Sequence, residues 1–212
     1  MKDSQDFSRR KLLITAAGAT TAAALFPASA NADITCTPFN ARGIQACSVG
    51  VRLGPITTAR QDCKNWCWAA CIETIFDFHG RSVSQTDIVN KLFGQTVCLR
   101  ANSVNILQLL NGRWTDNDGE QFSVWAEPIW DTSFGVWSPN SGAIMAQELA
   151  ADRPLITGAL GHACVLTEMS YYRDYNGRGL IQSATVRDPW PLTPNKRSIS
   201  AQEAAGTIFV AR

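Results

Sequence analysis

The sequence predicts an α+β fold in which a helical half packs against an antiparallel-sheet half. Helix-capping residues and helical spacing of apolar residues dominate the chain up to about residue 151, whereas apolar and polar residues alternate after Pro154. The composition, 45% hydrophobic and 17% charged, is that of a chain with a packed core. A length of 212 residues allows one such domain together with a targeting segment.

Residues 1–30 are predicted to be an export signal peptide of the twin-arginine type. Arg9 and Arg10 precede an apolar run, Leu12 to Phe26, that is too short and too weakly hydrophobic for a transmembrane helix. Small residues at positions 28–32 then offer cleavage sites. General secretion and an uncleaved anchor are the alternative interpretations. We therefore expect an exported bacterial protein, periplasmic or extracellular.

Residues 31–57 are expected to form an irregular leader that contains Cys36 and Cys47, and residues 58–212 the folded domain. The formal net charge of +1 gives no electrostatic argument for binding nucleic acid or an anionic membrane. We therefore expect no nucleic-acid partner, no membrane association once the signal is removed, and a monomer.

Capping residues mark the helices of the first half. Asn65 and Gly80 are suited to be the N-cap and the C-terminal stop of the first helix, and Ser84 with Asp87 resembles a capping box. The predicted helices are Trp66 to Phe78, Ser84 to the residue before Gly94, about Ser103 to Leu110, and about Gly142 to Ala151. Residues 113–140 are predicted to be loop.

The second half is predicted to be a sheet that starts with a strand at Leu155. Residues 162–172 and 180–187 alternate like the two strands of a hairpin around a turn at 174–177. A short helix at Ser200–Glu203 and a last strand at 207–210 follow.

The seven cysteines lie at positions 36, 47, 63, 67, 71, 98 and 164. An exported protein can form disulfides, and an odd number leaves at least one thiol unpaired, which makes it a candidate reactive thiol. We expect Cys36 to pair with Cys47, and Cys63 to reach Cys98.

Cys67 is the candidate nucleophile. With Asn65 as N-cap it is the second residue of a helix, where free backbone N–H groups and the helix dipole stabilise a thiolate. Gln61, six residues upstream, can aim its amide at a substrate carbonyl oxygen, with the Cys67 N–H as second donor. The alternatives are a small buried residue or a zinc ligand. The spacing of Cys63, Cys67 and Cys71 is that of one helix face rather than of a zinc ribbon, so no metal site is predicted.

His162 is the candidate base. The sequence has only two histidines. His79 lies at the far end of the helix that Cys67 begins, about 18 Å away, which is too far for a proton transfer. That leaves His162, which precedes an apolar strand.

Asp188 is the candidate that orients the imidazole. If the hairpin is centred on Tyr175, partner positions sum to 350, and His162 faces Asp188. Glu168 and Asp174 lie too far along the strand or at the turn. If Cys67 and His162 touch, then Cys71 and Cys164 should be near neighbours.

Three blocks of the sequence together resemble the papain-like cysteine peptidases. They are Gln-x₅-Cys-Trp at a helix start, the strand after His162, and Asp188-Pro189-Trp190. The string Asn-Trp-Cys-Trp-Ala-Ala-Cys, residues 65–71, is similar to bacterial papain-like proteases related to plant-pathogen effector proteases. This sequence has Asp where papain itself has Asn, and the Cys-Gly-Ser-Cys-Trp run of plant and animal members is absent.

The resemblance implies a papain-like α+β fold and hydrolysis of a peptide or protein substrate without a cofactor. It implies that Cys67 is the nucleophile, His162 the base, Asp188 the orienting residue and Gln61 an oxyanion donor. Two other functions remain open. One is transglutaminase-type, deamidase or other amidase acyl transfer with the same site, and the other is a non-catalytic papain-like binding module.

Overall fold

In the computed structural model the described residues are 33–52, 56–131, 135, 138–199, 203 and 206–211, the last five by their backbone only. The expected export signal lies outside them. The described residues belong to one unit, Asn31–Arg212. Within these ranges no helix has both the length and the apolar character needed to cross a bilayer.

The helices lie where the sequence predicts them. They are α1 (Cys67–Phe78), α2 (Gln85–Phe93), α3 (Ser103–Leu110) and α4 (Ser141–Ala150). Ser84 caps α2 by accepting from the backbone N–H of Asp87, as its sequence pattern predicts. Asn102 caps α3 in the same way, by accepting from the N–H of Asn105. Side-chain oxygens thus take up backbone donors that the first helical turns leave free.

The predicted N-cap of α1 was wrong. Trp66 occupies that position and makes no side-chain capping bond, so Cys67 is the first rather than the second residue of the helix. The Asn65 amide instead donates to the carbonyl of Cys98, 2.9 Å away. Asn65 therefore ties the start of α1 to a neighbouring loop, and the backbone N–H groups of the first turn keep no side-chain cap.

The strands form one large and one small antiparallel sheet. They are β1 (Thr35–Cys36), β2 (Ile44–Gly50), β3 (Gly112–Thr115), β4 (Gln121–Val124), β5 (Ala126–Trp130), β6 (Leu155–Ala159), β7 (His162–Asp174), β8 (Gly179–Arg187), β9 (Lys196–Ser198) and β10 (Thr207–Ala211). The large sheet has the order β1-β2-β7-β6-β10-β5, with β8 on the other edge of β7 and β9 beyond it. The small sheet pairs β3 with β4.

Strand β7 organises the large sheet. Its first residues pair with β6 and its last residues with β2, so these two strands share one edge of β7 end to end. Strand β8 covers the opposite edge. The predicted strands at Leu155, in the hairpin and at the C-terminus are confirmed, while the short helix expected at 200–203 falls mostly outside the described residues.

Two segments that were expected to be irregular form strands. Residues 44–50 pair with β7 along their whole length, from Ile44 opposite Asp174 to Gly50 opposite Glu168. Residues 113–130, part of the segment 113–140 that was expected to be loop, contribute most of β3 and all of β4 and β5. In β2 the inward positions are occupied by a glutamine, a cysteine and only one valine, so the alternation of apolar residues that marks a strand is weak.

The core lies on both faces of the large sheet. On one face α1 packs Trp68 and Ile72 against a cluster that includes Val165 of β7. On the other face α4 packs Met145 and Leu149 against strand residues of β2, β6, β7 and β8. The α+β class is as predicted, with the helix of Cys67 packed against the antiparallel sheet that carries His162 and Asp188. Helix α4 adds a second layer beneath that sheet.

Candidate active site

The turn between β6 and β7 sets the position of His162. Ala159 and His162 pair across only two residues, Leu160 and Gly161, whose φ angles are 54° and 76°. Positive φ at both central residues gives the tight hairpin turn whose twist matches the flanking strands. The turn therefore holds His162 at the end of the sheet, where β7 meets the start of α1.

Cys67 and His162 line the same two surface depressions, and the imidazole lowers the pKa of the thiol. Burial alone raises the pKa of the Cys67 thiol. Hydrogen bonds from His162 and from the backbone N–H groups of Ala163 and Trp68, together with the charge on His162, outweigh burial and bring the pKa below its ordinary value of 9.0. The site thus favours the thiolate, which is the nucleophilic form of cysteine.

Asp188 holds the other side of the imidazole. The Nε2 atom of His162 lies 2.8 Å from Oδ1 of Asp188, a carboxylate that is 1% exposed. The hydrogen bond to Asp188, followed by those to Cys164 and Cys67, raises the pKa of His162 from 6.5 to about 12. The geometry therefore favours a thiolate facing an imidazolium.

Trp190 shields and completes this contact. Its backbone N–H donates to the same Oδ1 of Asp188 at 2.8 Å. Its indole ring meets the His162 imidazole edge to face, with the ring centroids 6.5 Å apart. The Asp-x-Trp spacing thus brings a donor and an apolar cover to one carboxylate.

The register that led to Asp188 was wrong, although the contact is present. Leu166 pairs with Val186 and Val165 with Arg187, so partner positions near the site sum to 352 rather than 350. His162 has its ladder partner in β6 instead. Asp188 follows the end of β8 and reaches His162 through its side chain. A shift of two residues keeps every side chain on its face of the sheet, which explains why the expected pair still meets.

Gln61 is buried beside the segment that holds Asp188. Its backbone N–H donates to the carbonyl of Pro189 at 3.1 Å, which ties the two segments together. Its side-chain Nε2 donates to the carbonyl of Cys63 at 3.0 Å, while Oε1 is buried and makes no hydrogen bond among the described residues. The side-chain amide thus has one donor engaged and keeps a second N–H.

Arg197 is a residue of the site that sequence reasoning missed. Its Nε donates to Oδ2 of Asp188 at 2.7 Å, and its Nη2 donates to Oε1 of Glu203 at 2.6 Å. Burial raises the pKa of Asp188, but hydrogen bonds from His162, the Trp190 N–H and Arg197 outweigh it and hold that pKa below its usual range. Strand β9 was not predicted, and without its pairing to β8 nothing in the sequence places Arg197 near the site.

The expected disulfides are present, but the expected contact between Cys71 and Cys164 is not. Cys36–Cys47 and Cys63–Cys98 are both bonded, as predicted. Cys67, Cys71 and Cys164 are free and buried. Cys71 packs in the cluster of α1 and Cys164 in the cluster on the other face of the sheet, because side chains at successive strand positions point to opposite faces. Burial, followed by the charge of Cys164, raises the pKa of Cys71 well above 9.0.

His162, Cys164 and Asp188 bring three potential ligand atoms within 4.8 Å of one another. Both oxygens of Asp188 already accept hydrogen bonds, and the guanidinium of Arg197 lies against one of them. Burial raises the pKa of the Cys164 thiol, which disfavours the thiolate that a metal needs. These residues are therefore suited to a network of hydrogen bonds and not to the binding of a cation.

Cys67 and His162 lie at the floor of two adjoining depressions. One, of about 250 Å³, is largely apolar and includes Trp68, Ile106 and Leu160. The other depression, of about 450 Å³, lies towards Trp190. A reacting group at Cys67 thus has open surface on both sides.

Comparisons with known proteins give a distant fold likeness. No protein-family model matches the chain, and no curated protein matches it. Among solved structures it is similar to a double glycine motif protease from an AMS/PCAT transporter, in complex with the leader peptide. The two chains are 15% identical, the TM-score is 0.45, and the match covers 77% of this chain and 96% of that one. The function is therefore inferred from the residues of the site.

Proposed function

We propose that the protein is a papain-like cysteine peptidase that hydrolyses peptide bonds. The observation that carries the proposal is the placement of Cys67 at a helix N-terminus, in the same depressions as His162, whose imidazole is hydrogen-bonded to Asp188. A nucleophile, a base and a group that orients the base, each in contact with the next, are what acyl transfer by a thiol requires.

In the first step the Cys67 thiolate attacks the carbonyl carbon of the scissile peptide. A carbon–sulfur bond forms, and the carbonyl electron pair moves to oxygen. His162, as imidazolium, gives its proton to the leaving nitrogen as the carbon–nitrogen bond breaks. The amine product leaves, and the acyl group remains on sulfur as a thioester.

We infer two donors for the oxyanion of that step. The backbone N–H of Cys67 is unpaired by helix geometry because it belongs to the first turn of α1. The amide of Gln61 supplies the second donor by turning from the carbonyl of Cys63, to which it donates in the free protein. Donors aimed at a developing negative charge stabilise the transition state more than they stabilise the bound substrate, and this difference lowers the barrier.

Water completes the reaction. Neutral His162 takes a proton from a water molecule that attacks the thioester, the carbon–sulfur bond breaks, and the acid product leaves with the thiolate–imidazolium pair restored. The two depressions beside Cys67 suit an extended peptide whose chain continues on both sides of the scissile bond.

The location and the subgroup belong to the same proposal. Two disulfides suit an oxidising compartment, and with the twin-arginine pattern in residues 1–30 they support export to the periplasm or beyond. The string 65–71 supports a place near the bacterial papain-like proteases related to plant-pathogen effector proteases.

Active-site labelling tests the proposal. The protein without residues 1–30 is treated with a papain-directed epoxide and, separately, incubated with a peptide library read by mass spectrometry. We expect stoichiometric label on Cys67 and cleaved peptides, and both should disappear in Cys67→Ala. Cys71→Ala, one turn along the same helix, is the matched control and should keep both. Release of ammonia without chain cleavage would identify an amidase instead, and neither label nor product would identify a binding module.

A further inference from the structure

We propose that Arg197 is a positioning residue of this site, which orients the Asp188 carboxylate and opposes part of its charge, so that Asp188 holds the proton of His162 less strongly than an unpaired carboxylate would. The inference rests on the proposed function, because it concerns the same proton transfer. It explains how a site with Asp at this position can use the chemistry that papain-like enzymes carry out with Asn.

The contacts of Asp188 leave no place for a different arrangement. Its Oδ1 accepts from His162 and from the Trp190 N–H, and its Oδ2 accepts from Arg197, all at 2.7 to 2.8 Å. The carboxylate is 1% exposed, so water cannot take over any of these bonds. A buried carboxylate needs such partners, since an unpaired charge in the interior is costly.

Arg197 is itself fixed from the other side. Its Nη1 and Nη2 reach both carboxylate oxygens of Glu203, at 3.2 and 2.6 Å. Such a two-point contact holds the plane of the guanidinium, which a single contact does not. Thus Arg197 cannot turn away from Asp188 without breaking its pair with Glu203.

The charged groups of the site form a series of neighbours whose charges alternate in sign. The order is the Cys67 thiolate, the His162 imidazolium, Asp188, Arg197 and Glu203. Each charge is stabilised by its neighbours, and the cation of Arg197 opposes part of the pull of Asp188 on the imidazolium. His162 must release a proton to the leaving group, so an unopposed carboxylate would hold that proton too strongly.

Other titratable and charged groups also face this series of charged groups. They are Cys71 from α1, Cys164 from β7, and Arg60, Lys64 and Arg100 from the surrounding loops. All of them keep their identity in the variants described next. Cys164, whose Sγ lies 3.7 Å from Nη2 of Arg197, loses that contact in Arg197→Gln, so Glu203→Gln provides the independent comparison.

Counting the donors and acceptors around Asp188 predicts that a second substitution can partly repair the effect of the first. In Asp188→Asn, one oxygen and one NH₂ group replace two oxygens, while three donors still point at them. If the amide oxygen serves His162, its NH₂ group meets the Nε–H of Arg197, donor against donor. If the amide turns round, its NH₂ group meets His162 and enforces the wrong tautomer. Removing the Arg197 donor in Arg197→Gln relieves this conflict.

The test is a cycle of the wild type, Arg197→Gln, Asp188→Asn and the double variant. We expect Asp188→Asn to lower kcat/KM by about 10³- to 10⁴-fold, as an enforced wrong tautomer does. The double variant should recover about tenfold of that loss, which is the size of coupling expected for groups in contact. A double variant no better than Asp188→Asn overturns the inference, while hydrolysis by the wild type leaves the proposed function intact.

A second readout needs no turnover, namely the pH dependence of Cys67 alkylation. Arg197→Gln should move the acid limb upward by about 0.5 to 1 pH unit, because the site loses a positive charge. Arg197→Lys keeps the charge and should keep the wild-type limb. Glu203→Gln removes a negative charge and should move the limb downward, which also decides the matter if Arg197→Gln does not fold. Arg153→Gln, which breaks an ion pair with Glu148 at the other end of β6, is the matched control and should not move it. Unmoved limbs in both Arg197→Gln and Glu203→Gln contradict the inference.

Discussion

At the scale of single residues, the pKa values of Cys67 and His162 are displaced in opposite directions. The pKa of the thiol lies below 9.0 and that of the imidazole well above 6.5. The thiolate–imidazolium pair therefore exists between the two values, and it is lost by protonation of sulfur below that window and by deprotonation of the imidazolium above it.

This order of pKa values makes alkylation of Cys67 pH-dependent in a defined way. We expect the acid limb of the rate with iodoacetamide to lie below pH 9, because the bonds from His162 and the backbone outweigh burial. In His162→Ala the limb should move upward, because burial then has fewer opposing bonds. His79→Ala removes the other histidine and should leave the limb unchanged. A limb that does not respond to His162→Ala would contradict the lowering of the thiol pKa by the imidazole.

Gln61 allows the oxyanion contribution to be separated from the reactivity of the thiol. We expect Gln61→Ala to lower kcat by about 10²- to 10³-fold, the usual cost of losing one oxyanion donor. Alkylation of the thiolate forms no oxyanion, so the labelling rate should stay within a few-fold of the wild type. Equal losses in both measurements would mean that the Gln61 side chain only supports the loop before α1, through its hydrogen bond to the carbonyl of Cys63.

Residue identities in the site were more predictable than their partners. The sequence contains one histidine that is not at the far end of the helix of Cys67, and that identified His162 by elimination. Arg197 could not be found in this way, because a surface-type arginine gives no local signal of its partner. Its role depends on a strand pairing, Val186 with Arg197, that joins residues distant from the predicted hairpin turn.

At the scale of elements, the turn Leu160–Gly161 decides where β7 begins. The φ of Gly161 is 76°, and a Cβ atom there would lie 2.9 Å from Nη1 of Arg100. A β-branched side chain at this position is therefore strained by its own backbone and crowded by a neighbouring cation.

Substitutions of Gly161 test whether this turn positions His162. We expect Gly161→Val to lower the free energy of unfolding by about 1 to 3 kcal/mol and to lower kcat more than it raises KM. Gly161→Asn should cost less, since asparagine adopts positive φ more readily. Thermal unfolding and steady-state kinetics on the two variants give the comparison. Equal effects of Val and Asn would show that crowding by Arg100 matters more than backbone conformation.

Elements with caps and regular apolar spacing were predictable, and elements that depend on distant partners were not. Ser84 marks α2 because its side chain bonds to the first turn of its own helix, which is a local event. Strand β2 is stabilised by its pairing with β7, whose residues lie 118 to 130 positions further along the chain. Its own residues alternate too weakly to reveal it.

At the scale of the whole molecule, residues 33–52 belong to the sheet that carries His162. Strand β2 pairs with the second half of β7 and buries Cys47 and Val49 against the cluster beneath it. Burial of a side chain such as valine contributes about 1.5 to 3 kcal/mol. This segment therefore stabilises the very strand on which the base is placed.

Truncation tests that dependence. A chain that begins at residue 53 should lose cooperative thermal unfolding and the label at Cys67, because the edge of β7 that pairs with β2 is left unpaired. The chain that begins at residue 33 is the control and should keep both. Full labelling of the shorter chain would show that the first strands are dispensable for the site.

The residues of the site come from two separate parts of the chain, the start of α1 and the strands β7 and β8. The chain could therefore be divided into two fragments that each carry part of the site. An interruption at the exposed turn Asp118–Gly119 would leave Cys67 and Gln61 on one fragment, and His162, Asp188 and Arg197 on the other. If the proposed mechanism holds, neither fragment hydrolyses a substrate by itself. The guanidinium of Arg60 donates hydrogen bonds to the backbone carbonyls of Asp188 and Trp190. These bonds would re-form only when the two fragments reassociate. The turnover that is recovered would then be proportional to the number of reassembled fragment pairs, which is how a split reporter detects proximity.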